Sequence, residues 1–263
     1  MRKLNTLIFV LAFFALMCGQ NSYAQLSGIK TIPGTYATIT AAVTDLNTQG
    51  VGSGGVVLSI AAGYTETISS TLIVTATGTT LTPIIFQKSG TGANPLITAY
   101  TGTATPGSAA PDGIFAFMGS DYVTVDGIDL YDPNTTNPAT MEYGYGLFKN
   151  SVTDGCQNIT IKNSVITLSR VNNASGTAPM VEGSVGILVI NSTPSAATTA
   201  LTPTAPTGSN SYNKFYSNTI QNCNYGIVMY GFADVTPFAN ADMNNDIGGT
   251  SLSTGNQILN FGG

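Results

Sequence analysis

Four aspartates that could carry acid–base chemistry lie within one short stretch, Asp121, Asp126, Asp129 and Asp132. Two neighbouring carboxyl groups can cleave a glycosidic bond, because one holds a proton while the other stays ionised. A lysine downstream, Lys149, could act as the base of a polysaccharide lyase. We therefore name Asp126, Asp129, Asp132 and Lys149 as catalytic candidates. The competing interpretation places these charges on solvated turns, and the stretch has no adjacent Asp pair that would favour catalysis.

Three tyrosines, Tyr131, Tyr143 and Tyr145, lie in or beside the loop that follows this stretch. An exposed tyrosine ring can stack on a sugar while its hydroxyl bonds to water or ligand. The sequence therefore predicts that these three bind carbohydrate. The alternative is that they pack the loop onto the rest of the fold.

Oxygen-bearing side chains alternate along Asp242, Asn244 and Asp246. This spacing is typical of the start of a calcium-binding loop. The sixth position is Ile247 where such loops have glycine, and the twelfth is Ser253 where they have an acid. Calcium is therefore the one cofactor that the sequence raises, and a turn-rich loop without metal is the competing interpretation.

The composition excludes several classes of function. The chain of 263 residues has no histidine, which excludes His-based catalytic triads and His metal sites. Only 8% of its residues are charged, and the formal net charge is −5. Nucleic-acid binding is not expected, because it requires a basic surface.

The first 24 residues have the pattern of a signal peptide. Arg2 and Lys3 precede the apolar run Leu7–Cys18, which is too short to span a bilayer comfortably. Small residues then allow cleavage before Gln25, so we expect a secreted or cell-surface protein with no transmembrane segment. Cys156 and Cys223 remain after cleavage, and the sequence leaves open whether they pair.

A short pattern of asparagine and apolar residues recurs along the chain. Asn218-Thr-Ile-Gln-Asn222 and Asn256-Gln-Ile-Leu-Asn260 share it, and Asn163-Ser-Val-Ile-Thr167 is a weaker copy. The alternation has the period of a strand, and asparagine suits both sharp bends and stacked ladders. The glycine-led strands at Gly186 and Gly226 repeat as well, with Gly146 as a third. The pattern predicts an all-β, right-handed, single-stranded parallel β-helix of six to eight coils.

The remaining elements complete one domain over residues 25–263. Residues 25–55 form an N-terminal cap region with one short helix, Thr38–Asn47, followed by the tight linker Gly52–Gly55. Strands are expected at Val56–Ile60, Gly63–Ile68, Leu72–Val74, Pro83–Phe86 and Leu96–Tyr100. Long loop insertions are expected at Thr101–Asp112, Asp132–Tyr145, Asn172–Glu182, Ser192–Ser211 and Phe232–Leu252. An uncapped solenoid end exposes strand edges, so we expect the chain to be the N-terminal part of a longer protein.

The segment T-Y-A-T-I-T-A-A-V-T-D-L-N at residues 35–47 and the recurring N-x-I-x-N resemble the secreted parallel β-helix proteins of Bacteroidota, which have the pectate-lyase-like fold. The resemblance covers most of Gly34–Gly263. It implies an exported protein of the type IX secretion class, often adhesin-like. If the chain is an enzyme, the resemblance implies either a lyase with bound calcium and a basic residue as the catalytic base, or a hydrolase with clustered aspartates.

The sequence as a whole favours a monomeric secreted or surface protein that binds carbohydrate or another surface ligand without catalysis. A polysaccharide lyase or glycoside hydrolase is the alternative, and a structural spacer in an adhesin is a third hypothesis.

Overall fold

The computed structural model describes residues 24–103, 108–134, 141–169 and 184–262. The predicted signal peptide and the predicted loop Asn172–Glu182 lie outside these residues, apart from Ala24. The described elements are β1 (Leu26–Ile32), α1 (Ile39–Gln49), β2 (Val51–Ala61), β3 (Thr65–Thr67), β4 (Leu72–Val74), β5 (Ile84–Ser89), β6 (Leu96–Thr98), β7 (Gly113–Met118), β8 (Val123–Asp126), β9 (Asp129–Tyr131), β10 (Tyr143–Phe148), β11 (Thr160–Lys162), β12 (Val165–Thr167), β13 (Val185–Ile190), β14 (Lys214–Tyr216), β15 (Thr219–Cys223), β16 (Tyr225–Tyr230), β17 (Asp246–Ile247) and β18 (Gln257–Phe261).

The strands form three sheets in which every pairing is parallel. Sheet A has the order β1-β2-β5-β8-β11-β14-β17, sheet B β3-β6-β9-β12-β15-β18, and sheet C β4-β7-β10-β13-β16. From β2 onward the chain passes through sheets A, B and C in turn, so each complete coil adds one strand to each sheet. This confirms the predicted all-β parallel β-helix, and the seven strands of sheet A lie within the predicted number of coils.

The core consists of apolar side chains stacked in columns along the sheets. In sheet A, Phe86, Val125, Ile161 and Phe215 occupy one register position on successive strands, and all four are buried. Their strand neighbours point outward, as the two-residue period requires. Burial of these columns supplies the main stabilising free energy of the fold.

The predicted N-terminal helix is confirmed as α1. Its four buried side chains are the predicted set Ile39, Ala42, Val43 and Leu46. The Thr38 side chain accepts a hydrogen bond from the backbone N–H of Ala41, which caps the first turn. Gly50 ends the helix with a positive φ of 71°, a conformation that glycine adopts at little cost.

Hydrogen bonds join the helix to the first strands of sheets B and C. Glu66 on β3 accepts hydrogen bonds from the backbone N–H groups of Ile39 (2.6 Å) and Thr40 (3.1 Å) at the helix N-terminus. At the other end, the Asn47 amide donates to Ile73 O on β4 (2.7 Å) and accepts from Thr75 N (2.8 Å). One side-chain amide thus bonds to β4 as the backbone of a preceding coil would.

Replacing Asn47 by leucine is therefore expected to lower the free energy of unfolding by about 1–2 kcal/mol, because Ile73 O and Thr75 N lose their partner. Denaturant unfolding followed by circular dichroism measures this change. Thr48→Ala on the exposed side of α1 is the control, since its hydroxyl bonds only within the helix, to Thr44 O. An Asn47→Leu variant as stable as the control would contradict the capping role.

The recurring asparagines have two separate roles. Asn163, Asn222 and Asn260 have positive φ angles of 57°, 51° and 50° and make the bends. Asn218 instead is buried, and its amide accepts from Ser164 N (3.2 Å) and donates to Ile161 O (2.9 Å). Asn256 repeats this amide role, accepting from Asn218 N at 3.0 Å.

The register corrects the predicted alignment of Asn163 with Asn218 by one residue. Val165 pairs with Thr219 and Ile166 with Ile220, so Ser164 is the counterpart of Asn218. A slip of one residue exchanges the inner and outer faces of a strand. Ile166 is accordingly the buried residue of β12, not Val165.

The glycine-led strands form a column of glycines in sheet C, but the third member is Gly144 and not the predicted Gly146. The register places Gly144 beside Gly186, and Gly186 beside Gly226. A Cβ on Gly186 would lie 2.2 Å from Ile220 Cγ2. The glycines therefore allow sheet C to approach the isoleucine column of sheet B.

The middle strands of sheet C, β7, β10 and β13, are buried on their outer face as well as their inner face. Phe148, Leu188 and Ile190 face outward and are buried in a second apolar cluster, which includes Ala197 from the predicted loop Ser192–Ser211. Ala197 N donates to Ala109 O at 2.6 Å, which links two insertions over this face. Among the described residues, the insertions thus cover the middle strands of sheet C, and the outer faces of sheets A and B keep partly exposed side chains.

Three predicted boundaries are wrong. The linker Gly52–Gly55 belongs to β2, where a register shift against β1 accommodates the extra residues. The loop predicted to reach Tyr145 ends before β10, and the loop Phe232–Leu252 contains the short strand β17. These segments contain or adjoin glycine and proline, which are typical of loops, so we did not predict strands there.

Cys156 and Cys223 are both buried thiols that do not pair with each other. Within the described residues, no helix has the length and apolar character needed to cross a membrane.

Candidate functional site

A polar pocket of about 350 Å³ lies where the chain turns from sheet A to sheet B. Strands β5, β8 and β11 end at this turn, so their last side chains and the following bends lie side by side. We call this site the corner pocket, and it is lined by Gln87, Lys88, Asn94, Asp126, Gly127 and Asn163. Every side chain of the lining is an amide, a carboxylate or an ammonium group.

The carboxylate of Asp126 is fixed by two neighbours. Asn163 donates to one oxygen at 2.6 Å, and the Lys162 ammonium lies 3.1 Å from the other. Lys162 is on β11, directly beside Asp126 on β8. Both charges are about one-third exposed, so the pair orders the rim of the pocket more than it stabilises the fold.

Asp129 is the first residue of β9, the strand of sheet B that follows this turn. One of its oxygens accepts from Asn94 Nδ2 at 2.8 Å and from Val165 N at 2.7 Å. Burial raises the pKa of Asp129, and the hydrogen bonds from Asn94 and Val165 and the charge of Lys88 oppose the rise. Asn94 therefore joins Asp129 to the corner pocket.

Tyr131 extends this surface along sheet B. It is two residues beyond Asp129 on the same outer face, about 7 Å along the strand, and its side chain is 38% exposed. Its neighbours on the adjacent strands are Thr98 and Thr167. An aromatic ring among hydroxyl groups is thus open to solvent beside the pocket, and we call the corner pocket together with Asp129 and Tyr131 the corner surface.

The other two tyrosines of the predicted carbohydrate site are in the interior, so their predicted place on a binding face is wrong. Tyr143 and Tyr145 are 1% and 0% exposed. The Tyr145 hydroxyl donates to Ile128 O at 2.8 Å, and the Tyr143 ring packs 5.3 Å from that of Phe148. Their rings fill the two apolar clusters and are not accessible to a sugar.

Asp132 is also unavailable to a polymer. It is 2% exposed, and one oxygen accepts from Asn134 N at 2.9 Å. Burial raises its pKa. Its proposed catalytic partnership with Asp126 and Asp129 is not supported by this placement, because the latter two line the open corner and Asp132 lies beneath the surface.

The structure brings Lys149 and Asp242 together, although the sequence assigned them to different sites. Lys149 Nζ lies 3.3 Å from Asp242 Oδ1, and neither side chain is open to solvent. Lys149 is therefore buried away from the corner surface, and a polymer bound beside Asp126 and Asp129 could not reach it.

The predicted calcium ligands have separate partners. Asp242 bonds to Lys149, whereas Asp246 accepts from the Tyr216 hydroxyl (2.6 Å) and from Gly249 N (3.0 Å). Asn244 is exposed at a bend with a φ of 57°. No group of three or more His, Cys, Asp or Glu suited to a metal is present in the described parts of the chain.

Three residues of the corner pocket were not predicted from the sequence: Gln87, Lys88 and Asn94. Gln87 pairs with Asp126 and precedes Lys88 at the end of β5. Aligning Ile-Ile-Phe-Gln at 84–87 with Val-Thr-Val-Asp at 123–126 would have placed them beside the aspartates. We aligned the coils on the recurring asparagines instead, and these lie in later coils.

The arrangement favours hydrogen bonding to a polar ligand over bond cleavage. Both oxygens of Asp126 and one of Asp129 are held by groups of the protein itself. The amides of Gln87 and Asn163 can each donate and accept, as recognition of neighbouring hydroxyl groups requires. Both N–H groups of Asn94 are bonded, to Asp129 Oδ1 and to Asn163 O, so Asn94 offers its amide oxygen as an acceptor. Comparison of the chain with models of protein families, with curated proteins and with solved structures found no match.

Proposed function

We propose that this chain is an exported β-helix protein that binds carbohydrate at the corner surface without cleaving it. The observation that carries the proposal is the corner pocket itself, whose side chains are all polar and lie beside the exposed ring of Tyr131. Its volume of about 350 Å³ is within the range of pockets that hold small ligands.

The shape of the surface supports a chain-like ligand. Successive coils place polar side chains at regular spacings of about 4.8 Å across the strands. On sheet B the column through Tyr131 continues as Thr98 on one side and as Thr167 and Gln221 on the other. A polysaccharide lying across the strands would meet hydroxyl and amide groups at each coil.

Replacing Tyr131 by alanine is expected to weaken carbohydrate binding about fivefold to tenfold, because the variant loses one aromatic contact of about 1 kcal/mol or slightly more. Asn94→Ala is expected to weaken it as well, since Asn94 lines the pocket and orders Asp129. The measurement is titration calorimetry with the oligosaccharide that binds best on a glycan array.

Tyr230→Ala is the matched control. Tyr230 is 39% exposed, as Tyr131 is, but it lies at the end of β16 on sheet C. Its loss should leave the affinity unchanged. Equal weakening by both variants, or none by Tyr131→Ala, would place the binding site elsewhere.

A further inference from the structure

Lys149 and Asp242 form a buried pair that the corner surface does not use. Lys149 follows β10, and Asp242 belongs to the insertion between β16 and β17, 93 residues further along the chain. The side chains are 0% and 7% exposed, and 3.3 Å separates Nζ from Oδ1. A primary amine and a carboxyl group thus meet at contact distance away from water.

The two oxygens of Asp242 are in different environments. Oδ1 accepts a hydrogen bond from Asn210 N at 2.8 Å and faces the lysine, whereas Oδ2 has no partner within the described residues. The lysine Nζ in turn donates to the Gly208 carbonyl. One carboxyl oxygen is therefore polarised by an N–H donor, and the other is free to leave.

Burial acts on both groups in the direction of the neutral pair. Both side chains are out of contact with water, where an ammonium ion and a carboxylate lose their hydration and the uncharged forms lose much less. A neutral amine is a nucleophile and an ammonium ion is not. A neutral carboxylic acid is likewise the form that an amine can attack.

We propose that Lys149 and Asp242 condense into an intramolecular amide, an isopeptide bond, inside the folded protein. The Nζ–Cγ bond forms and the Cγ–Oδ2 bond breaks. Oδ2 leaves as water with the carboxyl proton and one proton of the amine, so no oxidant or reductant is consumed. The fold supplies the proximity that makes such a reaction effectively unimolecular, and exclusion of water favours the condensed product.

The chain contains an internal comparison for this chemistry. Lys162 and Asp126 are as close, at 3.1 Å, but their side chains are 37% and 33% exposed. Water stabilises that pair as ions, so no condensation is expected there. Both lysine–aspartate pairs are in contact, but only Lys149 and Asp242 are also buried, so condensation is expected at that pair.

Tryptic mapping of the purified full chain under denaturing conditions tests the proposal. An isopeptide at Lys149 blocks cleavage after that residue, so the segment 89–162 is expected to remain joined to the segment 215–263, with a combined mass lower by one water molecule. Fragmentation of this species should place the link between Lys149 and Asp242. Lys149→Arg should abolish it, and Lys162→Arg should leave it in place.

Cleavage after Lys149 in the wild-type protein, with the two segments recovered separately at the masses of their sequences, would overturn the proposal and leave a buried ion pair only. The wild-type map decides the matter even if Lys149→Arg does not fold, because it requires no variant.

Discussion

Replacing Asn213 by leucine is expected to lower the free energy of unfolding by about 3 kcal/mol or more. Asn213 is fully buried before β14, and its amide accepts from Ile159 N at 2.9 Å and donates to Cys156 O at 3.1 Å. Leucine has nearly the same branched shape but no polar atoms. Two buried backbone groups therefore lose their partners, and no space opens for a water molecule to replace the amide.

Denaturant unfolding measures the change, with Asn163→Gly as control. Asn163 is exposed, its φ of 57° suits glycine, and its side chain bonds only to the exposed edge of Asp126. The control should stay within about 0.5 kcal/mol of the wild type. If both variants unfold like the wild type, the asparagine amides do not hold the coils together.

Replacing Gly186 by alanine is expected to cost about 3 kcal/mol, because the added methyl group overpacks the contact between sheets B and C. The new Cβ would lie 2.2 Å from Ile220 Cγ2 and 2.6 Å from Gly226 O. The second clash is with backbone, so a change of side-chain rotamer cannot relieve it. Thermal and denaturant unfolding both measure the loss.

Gly255→Ala provides the matched comparison. Gly255 has an ordinary φ of −62°, and a Cβ there would have Leu252 O at 3.4 Å as its nearest neighbour. Its stability should therefore be close to that of the wild type. A Gly186→Ala protein of wild-type stability would show that sheets B and C are further apart than the structure has them.

Local patterns were sufficient to predict much of the fold. Helix α1 followed from the spacing of Ile39, Ala42, Val43 and Leu46 between a threonine cap and Gly50. The strand Leu72–Val74 was predicted with the correct bounds. These features depend on interactions within a few residues, which a single sequence displays directly.

The alignment between coils was not predictable to one residue. Asparagine appears in this chain both at the left-handed bend, as in Asn163, and at the next position inside the coil, as in Asn218. The residue type alone does not distinguish these roles. The strand pairing shows that Ser217 is the counterpart of Asn163 and that Ser164 is the counterpart of Asn218. Without that pairing, the two asparagines look equivalent.

The burial of Tyr143 and Tyr145 depended on contacts that are distant in sequence. Insertions cover the middle of sheet C, so β7, β10 and β13 have two buried faces. The continuous apolar run of β13, Val185–Ile190, is typical of a strand that is buried on both faces. We expected the tyrosines one strand earlier to bind carbohydrate, which would require them to be exposed.

The candidate site was predicted in part. Asp126, Asp129 and Tyr131 do lie on one open surface, because they flank a single turn of the chain. Lys88 and Asn94 come from the preceding coil, more than 30 residues earlier in the sequence. Only the stacking of coils shows that they share the pocket.

The most direct test of the account is incubation of the purified protein with a panel of plant, algal and host polysaccharides, with and without calcium. Binding is measured by titration, and the products are analysed by mass spectrometry. We expect saturable binding to at least one polymer, weaker binding by Tyr131→Ala, and polymers of unchanged length. Shortened or unsaturated oligosaccharides that disappear with Asp126→Ala would contradict this expectation and make the protein a hydrolase or lyase.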